Sequence, residues 1–333
     1  MKLFKSKKDE KKTDLEKVEE RREEVLAQGR KFKYPLQYTK RRIVINTVLI
    51  TAVVVAFLAV GGWLALYKFK MTDEILYRVT TFVPVSVANV DGEKVRFSDY
   101  LMLYRSSISS IEQQSGALGN DEDSDFVRNQ YKRAALSDAE EYAFAAKIAN
   151  ERGIVVSDEE VEDEFNRHRQ VGGVDRSEDG FLKILNDNFG LSKSEYKRML
   201  YLNLVKAKVM VVIDETANSI AEEVERELES NGGNYRGIAE TFGEKITYEE
   251  TGGLVNNKNI DGGRATEAMK LEKDGQSGRF VSMNGDGYYF VKLIDKTDNE
   301  VNFVSIFVPF KEFDQQFEGV KNGEGIKEFI TLE

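Results

Sequence analysis

The pattern of apolar and polar positions divides the chain before any motif is considered. From Ile43 to Tyr67 the segment IVINTVLITAVVVAFLAVGGWLALY runs 25 residues without a charged side chain. As a helix it would be about 37 Å long, enough to cross a hydrocarbon core of about 30 Å with some tilt. A buried core helix keeps a polar stripe, whereas here Asn46, Thr47 and Thr51 all lie near the start. The segment is predicted to span a membrane.

Beyond it the pattern changes period twice. Val83 to Val90 reads as a strand, Asp91-Gly92 as a turn and Lys94 to Phe97 as the returning strand. Ser98-Asp99 is expected to cap a helix with Tyr100, Leu103, Tyr104 and Ile111 on its apolar face, followed by a polar loop from Ser115 to Ser124. Helical spacing then continues through Phe126 to Arg152, ended by Gly153. A helix opens at Ser157-Asp158-Glu159-Glu160, runs to Arg169 and is broken at Gly172-Gly173. Phe181 to Asn188 and Ser194 to about Val212 complete a helical run.

Thr216 to Ser230 is a charged helix, with a stop signal at Asn231-Gly232-Gly233, and Tyr235 to Phe242 a short one. From Gly243 onward glycine is frequent. Two strands, Arg279 to Met283 and Tyr288 to Ile294, flank the hairpin signal Asn284-Gly285-Asp286-Gly287, and a third, Val301 to Val308, follows closely. These three predict an antiparallel meander. Tyr288, Tyr289 and Phe290 are consecutive, so the middle strand shows aromatics on both faces, with Tyr289 turned away from the packing helices. The expected fold class is α+β: a single transmembrane helix, a mostly helical module over 83–213 and a small antiparallel sheet with flanking helices over 214–310. A tail (1–42), a connector (68–82) and a C-terminal segment (311–333) join or flank them.

Charge orients the span. Residues 1–42 hold 15 Lys and Arg against 8 Asp and Glu, and Lys40-Arg41-Arg42 abut the apolar run. On the far side Lys68 and Lys70 are followed by Asp73 and Glu74. The positive-inside bias puts the N-terminus in the cytoplasm and the bulk of the chain outside, single-pass in the cell membrane. Of the whole-chain net charge of −10, the tail carries +7 and the remainder −17. An acidic exterior lacks the basic footprint that nucleic acid needs. Within the tail, Lys2 to Lys12 is a lysine-rich run, Thr13 and Glu16 read as a capping box, and Gly29 as the end of a charged helix. Its basic residues favour anionic lipid headgroups.

Candidate chemistry is sparse. There is no cysteine and one histidine, His168, which removes disulfides, thiolate ligands, a cysteine nucleophile and a histidine metal cluster. No metal and no cofactor is expected. His168 reads as a surface helix residue. Asp158-Glu159-Glu160, Glu222-Glu223 and Glu249-Glu250 read as caps and solvated faces. Gly252-Gly253 and Gly262-Gly263 lack the strand–loop–helix context of a phosphate-binding loop, so no nucleotide is implied.

Two stretches are similar to known families. VANVDGEKVRFSDYLMLYR, then AAKIANERGIVVSDEEVEDEF (Ala145 to Phe165), then FLKILNDNFGLSKSEYKRMLYLNLVKAKV resemble the SurA-type chaperone domain and cover 83–213. Residues 217–308, with NYRGIAETF, TGGL and ATEAMKLEKDGQSGRFVSMNGDGYYFVKLID, resemble a parvulin-type (PpiC) peptidyl-prolyl isomerase in order of elements. That family begins with a strand carrying one of its two central histidines. Here such a strand is missing before Thr216, and FVSIFV (Phe303 to Val308) would supply it in a permuted arrangement. On that resemblance the histidine positions fall at Tyr289 and Ser305, Met269 and Phe280 would line the proline groove, and the family's large aromatic ahead of Met269 falls near Arg264-Ala265. The family's acid is absent from Thr251-Gly252-Gly253-Leu254-Val255.

The resemblances imply a membrane-anchored foldase of the SurA/PpiD/PrsA kind that binds unfolded or newly translocated polypeptides, with a weakly active or inactive isomerase module. Tyr100, Tyr104, Tyr131, Tyr142 and Tyr196 are candidates for the client-binding surface. The alternatives are an active isomerase using Tyr289, Ser305 and Met269, and an envelope scaffold with one specific partner.

Overall fold

The computed structural model describes residues 14–33, 35–119, 121–170, 174–231, 233–272 and 275–332. The Lys2–Lys12 run, the cap expected at Thr13, the Gly172-Gly173 break and Gly232 lie outside these residues. The chain is α+β and forms two compact units that divide between Phe69 and Lys70.

In the first unit α1 (Asp14–Lys33) and α2 (Pro35–Trp63) are followed by one π-helical turn, Leu64–Lys68. Gly29, expected to end the first helix, lies inside α1. A mid-helix glycine costs about 1 kcal/mol relative to alanine, and Ala27, Gln28, Arg30 and Lys31 around it are good helix formers, so the helix continues. Ile43–Lys68 is long and apolar enough to cross a membrane, with a mean hydropathy of 2.8. Between Ile43 and Val60 its side chains are left uncovered, Phe57 at 81% and Leu58 at 70% exposure.

The second unit opens with a helix where a connector was expected, α3 (Glu74–Phe82). β1 (Ser86–Val90) and β2 (Glu93–Arg96) form the predicted hairpin, with Asp91 and Gly92 both at positive φ. The first strand starts later than expected because Val83 closes α3 and Pro84 has no N–H for a ladder. In α4 (Phe97–Ser115), Ser98 and Asp99 lie within the first turn and not at the cap. Asp99 is buried and instead accepts from Arg198 Nε and Nη2 at 3.1 and 2.8 Å.

α5 (Glu122–Arg152) begins earlier than expected because the Asp121 side chain caps it, and it ends at Gly153 in the left-handed conformation. α6 (Asp158–Arg169) and α8 (Lys193–Ile213) both open on reciprocal capping boxes, Ser157 with Glu160 and Ser192 with Glu195. α7 (Glu178–Phe189) lies between them. Leu101, Leu136, Ala145, Phe165 and Val209 are fully buried and form the centre of this bundle.

The sheet module begins with α9 (Glu215–Ser230) and α10 (Tyr235–Phe242). β3 (Thr247–Glu250), β4 (Val255–Asn256), β5 (Phe280–Val281), β6 (Gly287–Lys296) and β7 (Glu300–Pro309) form one antiparallel sheet in the order β3-β7-β6-β5, with β4 also on β7. The meander β5-β6-β7 is present, though its first strand is only two residues long. α11 (Arg264–Lys270) covers one face, where Ala265 and Ala268 pack on Val291, Leu293, Val301 and Phe303. Tyr288 points to the other face and donates from its hydroxyl to Asn218 Oδ1 of α9 at 2.5 Å.

The C-terminal residues return to the helical module. Phe313 and Phe317 of α12 (Glu312–Asn322) pack on Phe144 of α5, with ring centroids 5.4 and 5.6 Å away. β8 (Ile326–Glu328) pairs with β1, so the first sheet reads β2-β1-β8. Asp214 is the hinge of this return. Its Oδ1 accepts from Ala217 N at 2.8 Å, capping α9, and its Oδ2 accepts from Lys311 N and Glu312 N at 2.6 and 3.0 Å, at the start of α12.

Candidate functional site

A cleft of about 530 Å³ lies where the helical bundle meets the β5–β6 hairpin. One wall is a stripe along α8, Leu200, Leu204, Ala207 and Met210, a spacing that puts all four on one helix face. Tyr142 of α5, and Glu164 and His168 of α6, border it, and Met283 to Asp286 form the facing hairpin wall. Gly285 is required there twice over. Its φ is +72°, and a Cβ would stand 2.4 Å from Ala207 Cβ, so only glycine lets the hairpin tip meet α8.

Polar groups fix the rim. Tyr142 donates from its hydroxyl to Asn203 Oδ1 at 2.6 Å, and burial pushes its phenol up to about 12. His168 holds Tyr196 Oη at 2.5 Å through Nδ1 and Glu164 Oε1 at 2.9 Å through Nε2. Burial raises the Glu164 carboxyl, but hydrogen bonds from His168 and Arg167 outweigh it and leave it below its usual range. With Nε2–H donating to the carboxylate, Nδ1 is placed to accept from the Tyr196 hydroxyl. The residue read from sequence as a surface position is thus a half-buried part of the cleft wall.

The five tyrosines proposed for client binding separate. Tyr100, Tyr104 and Tyr196 are 1%, 5% and 8% exposed and belong to the core. Tyr100 packs edge-on against Phe97, and Tyr196 against Phe165 and Phe181, so these rings close the bundle and are not offered to a ligand. Tyr131 and Tyr142 are half-buried. Of the five, Tyr142 lines the cleft, and Tyr196 reaches it only through His168.

On the α11 side of the sheet the four positions drawn from the isomerase resemblance do come together. Tyr289 lies between Phe307 and Phe280, ring centroids 4.7 and 6.0 Å away. Met269 and Phe280 pack on the cluster around Val291 and Leu293. Ser305 is 1% exposed and pairs across the ladder with Val291. Arg264, which the sequence did not single out as a site residue, closes this face. Its guanidinium carbon is 4.9 Å from the Tyr289 ring centroid, its Nη1 donates to Ser305 Oγ at 3.3 Å and it pairs with Glu249. Its Nε donates to the Asp261 carbonyl at 2.8 Å.

Burial raises the Tyr289 phenol, with Arg264 opposing, so the hydroxyl stays protonated at neutral pH. Burial likewise raises the Asp261 carboxyl, against the Ala265 N–H that it accepts. The result is a packed, hydrogen-bonded face whose space over Tyr289 is filled by an arginine.

A larger cavity, about 690 Å³, runs between α3, α4 and α8. It is lined by ion pairs, Arg105 with Glu195 at 3.2 Å and Arg198 with Asp99 at 2.8 Å, which tie the elements together.

Residues 36–210 match the family model described as the SurA-like N-terminal domain. The match runs from the start of α2 to the last turn of α8 and stops before the sheet module. No curated protein matches the chain.

Proposed function

Because the chain belongs to the family of SurA-like N-terminal domains, we propose that it is a membrane-tethered, extracytoplasmic chaperone that holds unfolded or newly exported polypeptides. The observation that carries this reading is the α8 stripe facing Met283 across an open cleft. Its volume is in the range of pockets that take small apolar groups. Met283, exposed on the hairpin wall, gives it a side chain that re-packs around different shapes, the property that promiscuous binders exploit. The apolar helix Ile43–Lys68 is the tether, and the basic flank before it favours a cytoplasmic N-terminus.

The sheet module is read as a permuted parvulin-like domain with little or no isomerase activity. Supporting the permutation, β7 is the direct neighbour of β6 along nearly its whole length, next to the strand carrying Tyr289. Supporting inactivity, Tyr289 and Ser305 stand at the two histidine positions, and Arg264 fills the face above them. Isomerisation needs a pocket that favours the twisted amide over its barrier of about 20 kcal/mol, and this face has none open.

The test uses the full chain in proteoliposomes with an aggregating unfolded client. Wild type is expected to suppress aggregation, and Leu204→Glu or Met283→Glu to lose most of that effect while keeping the fold. Full retention in both variants would move the client surface away from the cleft. Turnover of a proline peptide well above background, lost in Tyr289→Ala, would favour the isomerase reading, which the gathering of Tyr289, Ser305, Met269 and Phe280 on one face supports. Cross-linking in cells to one stoichiometric partner, in place of many exported chains, would favour a scaffold.

A further inference from the structure

α3 has two faces of opposite character. One lines the charged cavity through Glu74, Tyr77, Arg78 and Thr81. It is fixed there: Arg105 of α4 lies over the Tyr77 ring at 4.8 Å, and Thr80 is 1% exposed. The other face carries Ile75, Val79 and Phe82, at i, i+4 and i+7, with exposures of 76%, 49% and 88%. Val83 beyond it and Met71 before it are also exposed. Because the cavity face is locked, the helix cannot roll to hide this stripe.

The position of α3 in the chain identifies what covers it. The apolar helix ends at Lys68 and α3 begins at Glu74. Five intervening residues reach at most about 18 Å fully extended, so a chain that has just left the hydrocarbon core delivers α3 to the membrane surface. The charges agree with such a surface. Lys68 and Lys70 flank the exit, Glu74 is neutralised by Arg78 on the cavity side, and Asp73 sits at the helix end, off the stripe. Nine residues alone would bind lipid weakly, but a tether makes the encounter intramolecular and raises the effective concentration.

We propose that the Ile75–Val79–Phe82 face of α3 lies in the interfacial layer of the bilayer on the far side of the tether, and so fixes the orientation of the folded unit against the membrane. The partner is lipid, engaged by apolar side chains at headgroup depth. The inference rests on the reading of Ile43–Lys68 as a transmembrane tether.

The chain has no cysteine, so single cysteines report single sites. Full-length Val79→Cys, Phe82→Cys, Thr81→Cys and Leu58→Cys, each carrying an environment-sensitive fluorophore, are placed in phosphatidylcholine–phosphatidylglycerol vesicles containing nitroxide lipids. The expected result is strong quenching and a blue shift at 79 and 82 with shallow nitroxides, quenching at 58 with deep ones, and little change at 81. Adding Ile75→Asp to Phe82→Cys should remove most of the quenching at 82. If 58 is quenched while 79 and 82 respond no more than 81, the interfacial proposal falls and the tether stands. If 58 is not quenched, both fall. Quenching at 79 and 82 by a spin-labelled second copy, and not by lipid, would make this face a self-association contact and overturn the lipid assignment.

Discussion

The helical and sheet modules treat their aromatic rings and their openings in opposite ways. In the helical module the rings at the centre of the bundle are sealed inside, Tyr100 on Phe97 and Tyr196 on Phe165 and Phe181. What stays open on α8 is the half-buried pair Leu204 and Ala207, facing Met283 across the cleft. In the sheet module the rings gather on the face that the proposed parvulin-like reading gives to the isomerase site, Tyr289 between Phe280 and Phe307, and an arginine seals them. A binding surface for varied polypeptides needs flexible apolar side chains held apart by a rigid frame, and the first module has that form. A catalytic pocket needs a rigid hollow, and on the proposed parvulin-like reading Arg264 fills the place for one.

The sharpest way to break this comparison is to attack what holds the frame. Phe313 is fully buried and touches Phe144, with Phe317 beside it. Phe313→Ala is expected to cost about 3–5 kcal/mol in chemical denaturation, the range for a buried phenylalanine truncated to alanine. A loss below about 1 kcal/mol would mean that the C-terminal return does not stabilise the helical module.

A pH effect of similar size comes from the same region. Glu140 is 5% exposed, and among the described residues its Oε1 has no hydrogen-bond partner. Burial pushes its carboxyl from 4.5 up to about 7, with Glu328 adding to the rise and Arg133 and Lys321 opposing it. The folded chain therefore holds a proton that the unfolded chain has released over this interval. The stabilisation is fully present below pH 4.5 and is lost as pH rises through about 7, by up to about 3 kcal/mol. Glu140→Gln should flatten that slope in denaturant titrations at several pH values. An unchanged slope would show that Glu140 is not its source.

Asp214 caps α9 and α12 together. With about 1 kcal/mol for each cap, Asp214→Ala should cost about 2 kcal/mol. It should also loosen the C-terminal return, read as faster amide exchange in β8 than in β6. Equal acceleration in both strands would argue that Asp214 supports the whole unit and not the return alone.

These elements were unequally legible in the sequence. The cap at Ser157 and the Gly153 stop depend on residues within one turn of each other, so local pattern suffices. The opposite facing of Tyr288 and Tyr289 follows from strand alternation alone, but the expectation that Tyr289 turns away from the helices fails, because α11 packs on its face and lays Arg264 over its ring. β8 was not legible, because Ile326-Lys327-Glu328 is short and charged and becomes a strand only by pairing with β1. α3 was hidden by its brevity. The cleft depends on Gly285 meeting Ala207, and the sealed face on Arg264 reaching Tyr289 and Ser305. Such long-range meetings leave no periodic trace. The tyrosines misled for the opposite reason: aromatic abundance marks a core as readily as a binding surface.

The smallest expected effect tests the comparison most directly. Arg264 is partly buried, but its partner Glu249 is 52% exposed, and an ion pair open to water on one side contributes about 1 kcal/mol or less. Its stacking on Tyr289 adds a similar amount at a half-open site. Arg264→Ala should therefore shift stability by only about 1–2 kcal/mol while uncovering Tyr289 and Ser305. Weak binding of proline peptides to the sheet should increase, read by chemical-shift changes in β6 and β7. Suppression of client aggregation should stay at the wild-type level, in contrast to Leu204→Glu on α8. If Arg264→Ala instead impairs client holding as strongly as Leu204→Glu does, the sealed face is part of the working surface. The contrast between an open helical module and a closed sheet would then be wrong in its functional meaning, whatever its geometry.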